Sequence, residues 1–224
     1  MLNKKQIRFC LDTMGEMFPD AHCELIHQNP FELTIAVLLS AQTTDENVNR
    51  VTKGLFAKYK TPEDYLAVDV TELENDIRSI GLFRTKAKNI QKLCKMLIED
   101  FGGVIPQTRR ELEMFPGVGR KTANVVMSVA FGEPAIAVDT HVERVSKRLG
   151  FCRWKDSVLQ VENTLKKKIP KDEWSISHHR FIFFGRYHCK AQNPNCTACP
   201  LLEICREGQK RMRKIAREKD RIKK

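Results

Sequence analysis

Phe115-Pro-Gly-Val-Gly-Arg-Lys-Thr-Ala-Asn124 decides how the rest of this chain is read. Two glycines stand two residues apart, and a lysine follows the second by two. Glycine admits positive φ and lets a foreign group come close to the backbone. A helical pattern runs into the stretch and another runs out of it. The start of the second helix offers unpaired N–H groups and a partial positive charge, which together suit a phosphate. Lys121 falls in the first turn of that helix. It either binds the phosphate-bearing group as a cation or attacks it, and attack requires an amine with a free lone pair.

Outward from this stretch the punctuation is helical throughout. Upstream, Thr108 with Glu111 three residues later forms a capping-box pattern that opens the helix entering the turn. Before it, residues 84–101 read as a helix stopped by Gly102-Gly103. A shorter helix spans about 70–79, ahead of Gly81. Thr61-Pro62-Glu63-Asp64 and Asn29-Pro30-Phe31-Glu32 are both capped starts with proline in the first turn. The second leads into Ile35-Ala-Val-Leu-Leu39, apolar nearly all round and so expected to be buried. That helix ends near Ser40-Ala-Gln-Thr-Thr-Asp45, and another covers about 46–59. Residues 4–18 place Ile7, Leu11, Met14 and Phe18 at a helical period.

Downstream, the helix after the turn stops at Gly132. Asp139 reads as the N-cap of a helix over 140–149 that Gly150 ends, and further helices fall near 157–168 and 172–187. Nothing reads as a strand. Many short helices with short connections imply an all-α protein, and no Gly/Ser/Pro-rich linker marks a domain boundary.

Cys189, Cys196, Cys199 and Cys205 are spaced C-x6-C-x2-C-x5-C. Four thiolates this close can enclose one metal centre, and both zinc and an iron–sulfur cluster accept four cysteines. Disulfides fit poorly with a chain showing no secretory signal. Cys10, Cys23, Cys94 and Cys152 are scattered, as buried core thiols often are. The histidines show no ligand spacing, and His178 and His179 are expected on the polar or half-buried side of their helix.

Val138-Asp-Thr-His-Val142 is the second chemical stretch. Asp139 can be an N-cap and nothing more. A cap also fixes the direction of a carboxylate, and a fixed anion can stabilise positive charge that develops in a reaction.

Lys and Arg exceed Asp and Glu by 11, with pI near 9.3. Residues 206–224 hold ten Lys/Arg against three Asp/Glu, a net of +7, leaving +4 for the remainder. A basic tail on a mildly basic body favours a polyanionic partner. No apolar run approaches the roughly 20 residues that span a bilayer. An intracellular, soluble protein is expected, cytoplasmic or nucleoid-associated if bacterial.

Taken together, Leu39-Ser-Ala-Gln-Thr-Thr-Asp45, Gly81-Leu82, Pro116-Gly-Val-Gly-Arg-Lys-Thr-Ala123, Val138-Asp-Thr-His141 and the four cysteines resemble the endonuclease III family of helix-hairpin-helix DNA glycosylases. The resemblance covers about residues 1–206. It implies a six-helix barrel over residues 23–133 that contains the hairpin. It implies a second helical domain from residues 1–22 and 134–206, carrying a [4Fe-4S] cluster in the 189–205 loop, with residues 207–224 as a basic tail.

Duplex DNA with damaged bases or abasic sites is the implied partner, bound by a monomer in the cleft that the two domains flank. The implied reaction removes an oxidised pyrimidine that has been turned out of the stack. Lys121 attacks C1′, Asp139 supports the charged sugar, and the resulting Schiff base permits β-elimination 3′ to the lesion. By position, Gln42 fills the vacated space and Leu82 wedges the opposite strand. Gly117, Val118, Gly119 and Arg120 hold the DNA backbone, and Asp45 and His141 line the pocket.

Similar adenine glycosylases usually lack the lysine and continue into a further domain. A monofunctional adenine glycosylase, or a non-catalytic hairpin module with a structural metal, are the alternatives. The cluster loop, Lys190-Ala-Gln-Asn-Pro-Asn195, holds one basic residue where the family's is often more basic, so the tail is expected to supply charge in its place.

Overall fold

A computed structural model describes residues 1–222, with side chains to residue 218. The described residues form twelve α-helices and no strand. In chain order these are α1 (Lys4–Met17), α2 (Pro30–Leu39), α3 (Asp45–Lys58), α4 (Pro62–Ala67), α5 (Val70–Asp76), α6 (Phe83–Phe101), α7 (Arg109–Leu112), α8 (Arg120–Phe131), α9 (Thr140–Leu149), α10 (Val158–Lys168), α11 (Trp174–Phe183) and α12 (Arg206–Ile222). A 3₁₀ turn, Lys171–Glu173, precedes α11, and a π-helical turn, Phe184–His188, follows it.

The helix starts follow from local chemistry. Asn29 Oδ1 accepts from the Glu32 N–H at 2.9 Å with Pro30 in the first turn, and Ser157 and Thr61 close reciprocal capping boxes. At Thr108 the box is only half made. Its hydroxyl accepts from the Glu111 N–H but donates to the Glu111 carboxylate at 2.6 Å, so that carboxylate does not return to the Thr108 backbone.

The chain divides into two compact units, Cys23–Glu133 and a second made of Met1–His22 with the chain from Pro134 onward. In the first, α2 is buried on almost every side and packs on α8, while α4 and α5 pack on α6. Phe115 is buried against Phe101, their ring centres 5.2 Å apart. In the second, Ile7, Leu11 and Met14 of α1 join Val142, Val145 and Leu149 of α9, Val161 and Leu165 of α10, and Phe181 of α11 in one core.

Two features depart from expectation, and the tail adds a helix. The segment expected as one helix over 172–187 is a 3₁₀ turn, α11 and a π turn. His178 is buried beside Ser177 and Phe181, because that face of α11 meets α9 and α1, whereas His179 is half-buried as expected. The basic tail is helical, with Arg211–Glu207 and Lys214–Glu218 pairs at i,i+4 spacing. No helix among the described residues is long and apolar enough to cross a membrane.

Candidate active site

The hairpin is held by its apolar residues and open at its glycines. Phe115 and Val118 are buried, and the Val118 N–H donates to the Phe115 carbonyl at 3.0 Å, closing the turn. Val118 therefore offers a ligand only its backbone. Gly117 has φ of +84°, and a Cβ there would lie 2.8 Å from Asn89 Nδ2. Gly119 is the N-cap of α8 in extended conformation, with no side chain capping the helix and open space where a Cβ would stand. Gly119 has no side chain with which to cap α8. Residues 122–126 are buried against the core and Lys121 is exposed on the other side of the helix. Arg120 is half-buried.

Asp45 is the first residue of α3, half-buried. Burial pushes the Cys23 thiol up, with Asp45 adding to the effect and Lys121 opposing it. Asp45 and Lys121 therefore both lie near enough to Cys23 to act on it electrostatically.

Gln42 and Leu82 sit at two adjoining loop tips in the same unit. Both are exposed, Leu82 by 60%, and both are non-glycine residues in the left-handed region with φ of 58°. Such a conformation costs about 1–2 kcal/mol in each case. The loops are stitched together. The Gly81 N–H donates to Thr43 Oγ1 at 3.2 Å, Asn47 Nδ2 to the Ser79 carbonyl at 2.9 Å, and Lys86 Nζ to the Leu39 and Ala41 carbonyls at 2.9 and 2.5 Å.

In the other unit Asp139 caps α9, its Oδ1 accepting from the Val142 N–H at 2.8 Å. Two residues on, His141 has its pKa lowered by burial, an effect that Asp139 opposes and that Arg144 and Arg186 reinforce. Arg144 Nη2 lies 3.2 Å from His141 Nδ1 and donates to the Gly185 carbonyl at 2.8 Å. Gly185 is where the π turn meets α9. A Cβ there would stand 2.9 Å from His141 Cβ, so only glycine lets the two backbones approach this closely.

The C-terminal end of α9 holds the cysteine loop. Arg148, nearly buried, donates to the carbonyls of Cys189, Lys190 and Ala191 at 3.3, 2.7 and 3.0 Å and lies 3.5 Å from Cys189 Sγ. The Gly208 N–H donates to Cys205 Sγ at 3.3 Å. Cys189, Cys196, Cys199 and Cys205 line one cavity with Arg148 and Arg211. Burial pushes the Cys199 thiol up to about 11, and those of Cys196 and Cys205 upward as well. Buried thiolates need a compensating cation, and the lining supplies donors aimed at sulfur. Among the described residues no three His, Cys, Asp or Glu side chains close on one point as a single ion requires.

The structure therefore puts Asp45 and Lys121 within electrostatic reach of Cys23, pairs the Gln42 and Leu82 tips, sets Asp139 and His141 at the start of α9, and packs the cysteine loop against Arg148 at its end. Sequence reasoning missed Lys86, Arg144, Arg148 and Gly185. Their roles depend on partners dozens of residues away in the chain, and no local spacing signals them.

Comparison with known proteins bears on the chain as a whole. Residues 35–171 match the model of the HhH-GPD superfamily base excision DNA repair proteins. Endonuclease III of Bacillus subtilis (strain 168) is 73% identical over 214 residues, covering 96% of this chain and 98% of that one. The solved structure of a trapped endonuclease III–DNA covalent intermediate, an estranged-adenine complex, superposes with a TM-score of 0.93 at 74% identity, covering 95% of this chain and all of that one. That of a non-covalent endonuclease III–DNA complex superposes with a TM-score of 0.94 at 73% identity, with the same coverage. Identity at this level along nearly the whole length, on the same all-helical fold, settles the kinship: the chain belongs to the endonuclease III family within the HhH-GPD superfamily of base excision DNA repair proteins.

Proposed function

We propose that this protein is a bifunctional DNA glycosylase and abasic-site lyase that removes oxidised pyrimidines from duplex DNA inside the cell, at the nucleoid. Unit Cys23–Glu133 serves as the barrel domain and the other unit as the cluster domain. The observation that carries the reading is Lys121, an exposed amine in the first turn of a helix whose N-cap residue is a glycine. A relative 74% identical to this chain has been trapped covalently on DNA, which supports an attacking amine.

The strand backbone lies on the N–H groups around Gly117, Gly119 and Arg120. The flipped nucleotide presents C1′ to Lys121. Nitrogen bonds to C1′ as the glycosidic bond breaks, and the base leaves with the bond's electron pair and takes up a proton. Asp139, its direction fixed by its cap bond, stabilises the positive charge that builds on the sugar and assists proton transfer. Ring opening gives a Schiff base, and loss of a C2′ proton expels the 3′ phosphate. Gln42 and Leu82 occupy the gap and the facing strand, and Asp45 and His141, one from each unit, are assigned to the flipped base.

Cys189, Cys196, Cys199 and Cys205, which line one cavity, would hold a [4Fe-4S] cluster. When bound, it ties four loop positions to one centre and carries a one-electron couple. Zinc and an iron–sulfur cluster both accept four cysteines, and kinship with the endonuclease III family favours the cluster. Arg148 and the Gly208 N–H point toward Cys189 Sγ and Cys205 Sγ.

The test is incubation with duplexes carrying an oxidised pyrimidine, alongside an absorbance spectrum of the purified protein. Base release with 3′ strand cleavage and broad visible absorption are expected. Base release without cleavage would indicate a monofunctional enzyme, binding without either product a hairpin module, and a colourless protein zinc.

A further inference from the structure

Lys86 is the one buried lysine among the described residues, 5% exposed. Burying an ammonium is costly unless it is paired, and here no carboxylate meets it. Its partners are two carbonyls, those of Leu39 at 2.9 Å and Ala41 at 2.5 Å. Leu39 ends α2, where backbone carbonyls lack helical partners and a cation is favoured. A capping role for α2 would account for the first bond. The second reaches past the helix to the residue immediately before Gln42.

The stem of the same lysine leaves α6 one turn after Leu82, the residue that caps α6 in the left-handed region. One side chain therefore runs from the base of the Leu82 tip to the base of the Gln42 tip, and both tips hold conformations that non-glycine residues seldom adopt. Strained residues persist only where their surroundings fix them from several sides. The neighbouring bonds, Gly81 N–H to Thr43 Oγ1 and Asn47 Nδ2 to the Ser79 carbonyl, join the same two loops but involve exposed groups. Lys86 is the buried member of the set.

We infer that Lys86 is a positioning residue, a strut that fixes the separation and direction of the Gln42 and Leu82 tips so that both enter the duplex together. This rests on the proposed roles of those two residues. If both tips must insert at once for the nucleotide to stay extrahelical, a loosened strut lowers the population of the flipped state. It leaves attack by Lys121 on an accessible sugar unaffected.

Single-turnover assays separate these steps. Lys86→Met keeps the stem and removes the donors. Base release from an oxidised pyrimidine in duplex DNA should slow at least tenfold. Strand cleavage at a preformed abasic site in a single-stranded oligonucleotide, which needs no insertion, should stay within about twofold. Lys86→Gln, which keeps an amide donor, should recover part of the duplex rate. Circular dichroism and thermal melting of each variant report folding.

Equal losses on both substrates would reduce Lys86 to a structural cap and overturn the inference, as would an unchanged duplex rate. Should Lys86→Met not fold, Lys86→Gln decides alone by the same comparison. Absence of base release by the unaltered protein would instead overturn the function on which the inference rests.

Discussion

Gly117→Ala and Gly119→Ala make a matched pair, because sequence treats the two glycines alike and the structure does not. At Gly117 an alanine would have to hold φ of +84°, which costs about 1–2 kcal/mol. Its Cβ would lie 2.8 Å from Asn89 Nδ2, 3.2 Å from Leu38 Cδ1 and 3.3 Å from Asn89 Cβ, and overpacking of that kind costs ~1–3 kcal/mol. Restricting the unfolded chain returns about 0.5 kcal/mol. The net loss is about 2–4 kcal/mol, which lowers the melting temperature by roughly 5–15 °C for a protein of this size.

At Gly119 the backbone is extended and a Cβ meets nothing within 4 Å. Alanine in place of glycine as an N-cap costs less than about 1 kcal/mol. Its methyl group would stand in the space a phosphate needs to reach the N–H groups of α8. Losing one charge-assisted hydrogen bond is worth ~1.5–3 kcal/mol, a weakening of DNA binding on the order of 10- to 100-fold. Chemical unfolding followed by circular dichroism gives the first quantity. Anisotropy with a non-cleavable abasic-site duplex at fixed salt gives the second. A Gly117→Ala variant as stable as the unaltered protein would refute the packing argument. A Gly119→Ala variant with unchanged affinity would refute phosphate binding at the hairpin.

Three further outcomes follow from the same geometry. Asp139→Asn keeps an oxygen to cap α9, so stability should change by less than about 0.5 kcal/mol while base release slows; an unchanged rate would leave Asp139 as a cap only. Burial, with His22 adding to the effect, pushes His179 down to about 4 from an ordinary value of 6.5. The unfolded chain then binds the proton more readily, so stability is full above pH 6.5 and falls as pH drops toward 4, by about 3 kcal/mol at most. His179→Gln should flatten that part of the unfolding profile, and an unaltered slope would contradict it. Deleting residues 210–224 should reduce the salt dependence of DNA binding, by about 0.9 in the log–log slope for every phosphate that the tail neutralises; an identical slope would mean that the tail does not touch DNA.

Local chemistry in the sequence already carries much of the architecture. Asn29, Asp139 and Gly150 act as helix boundaries because capping needs only a side-chain oxygen, or a residue free to take positive φ, at one position. The hairpin and the four cysteines are equally readable, since their chemistry is written within ten and seventeen residues. What stays hidden is non-local. That a Cβ would clash at Gly117 but not at Gly119 depends on Asn89 and Leu38. Arg148 reads as an ordinary helix-end cation until the loop 41 residues later folds over it. Helix α12 escapes a reading by apolar period because its charge obscures that period, although its i,i+4 pairs at 207–211 and 214–218 are a usable signal. No composition change marks the passage between the two units at Cys23 and Pro134.

The central claim is that the Lys121 amine forms the bond to the sugar, and borohydride reduction during reaction tests it most directly. With duplex carrying an oxidised pyrimidine, the unaltered protein should yield a covalent protein–DNA adduct whose DNA is attached to Lys121 on peptide mapping. Lys121→Gln should yield none while still binding the duplex. An adduct formed by Lys121→Gln, or its absence from the unaltered protein that still releases the base, would contradict the account.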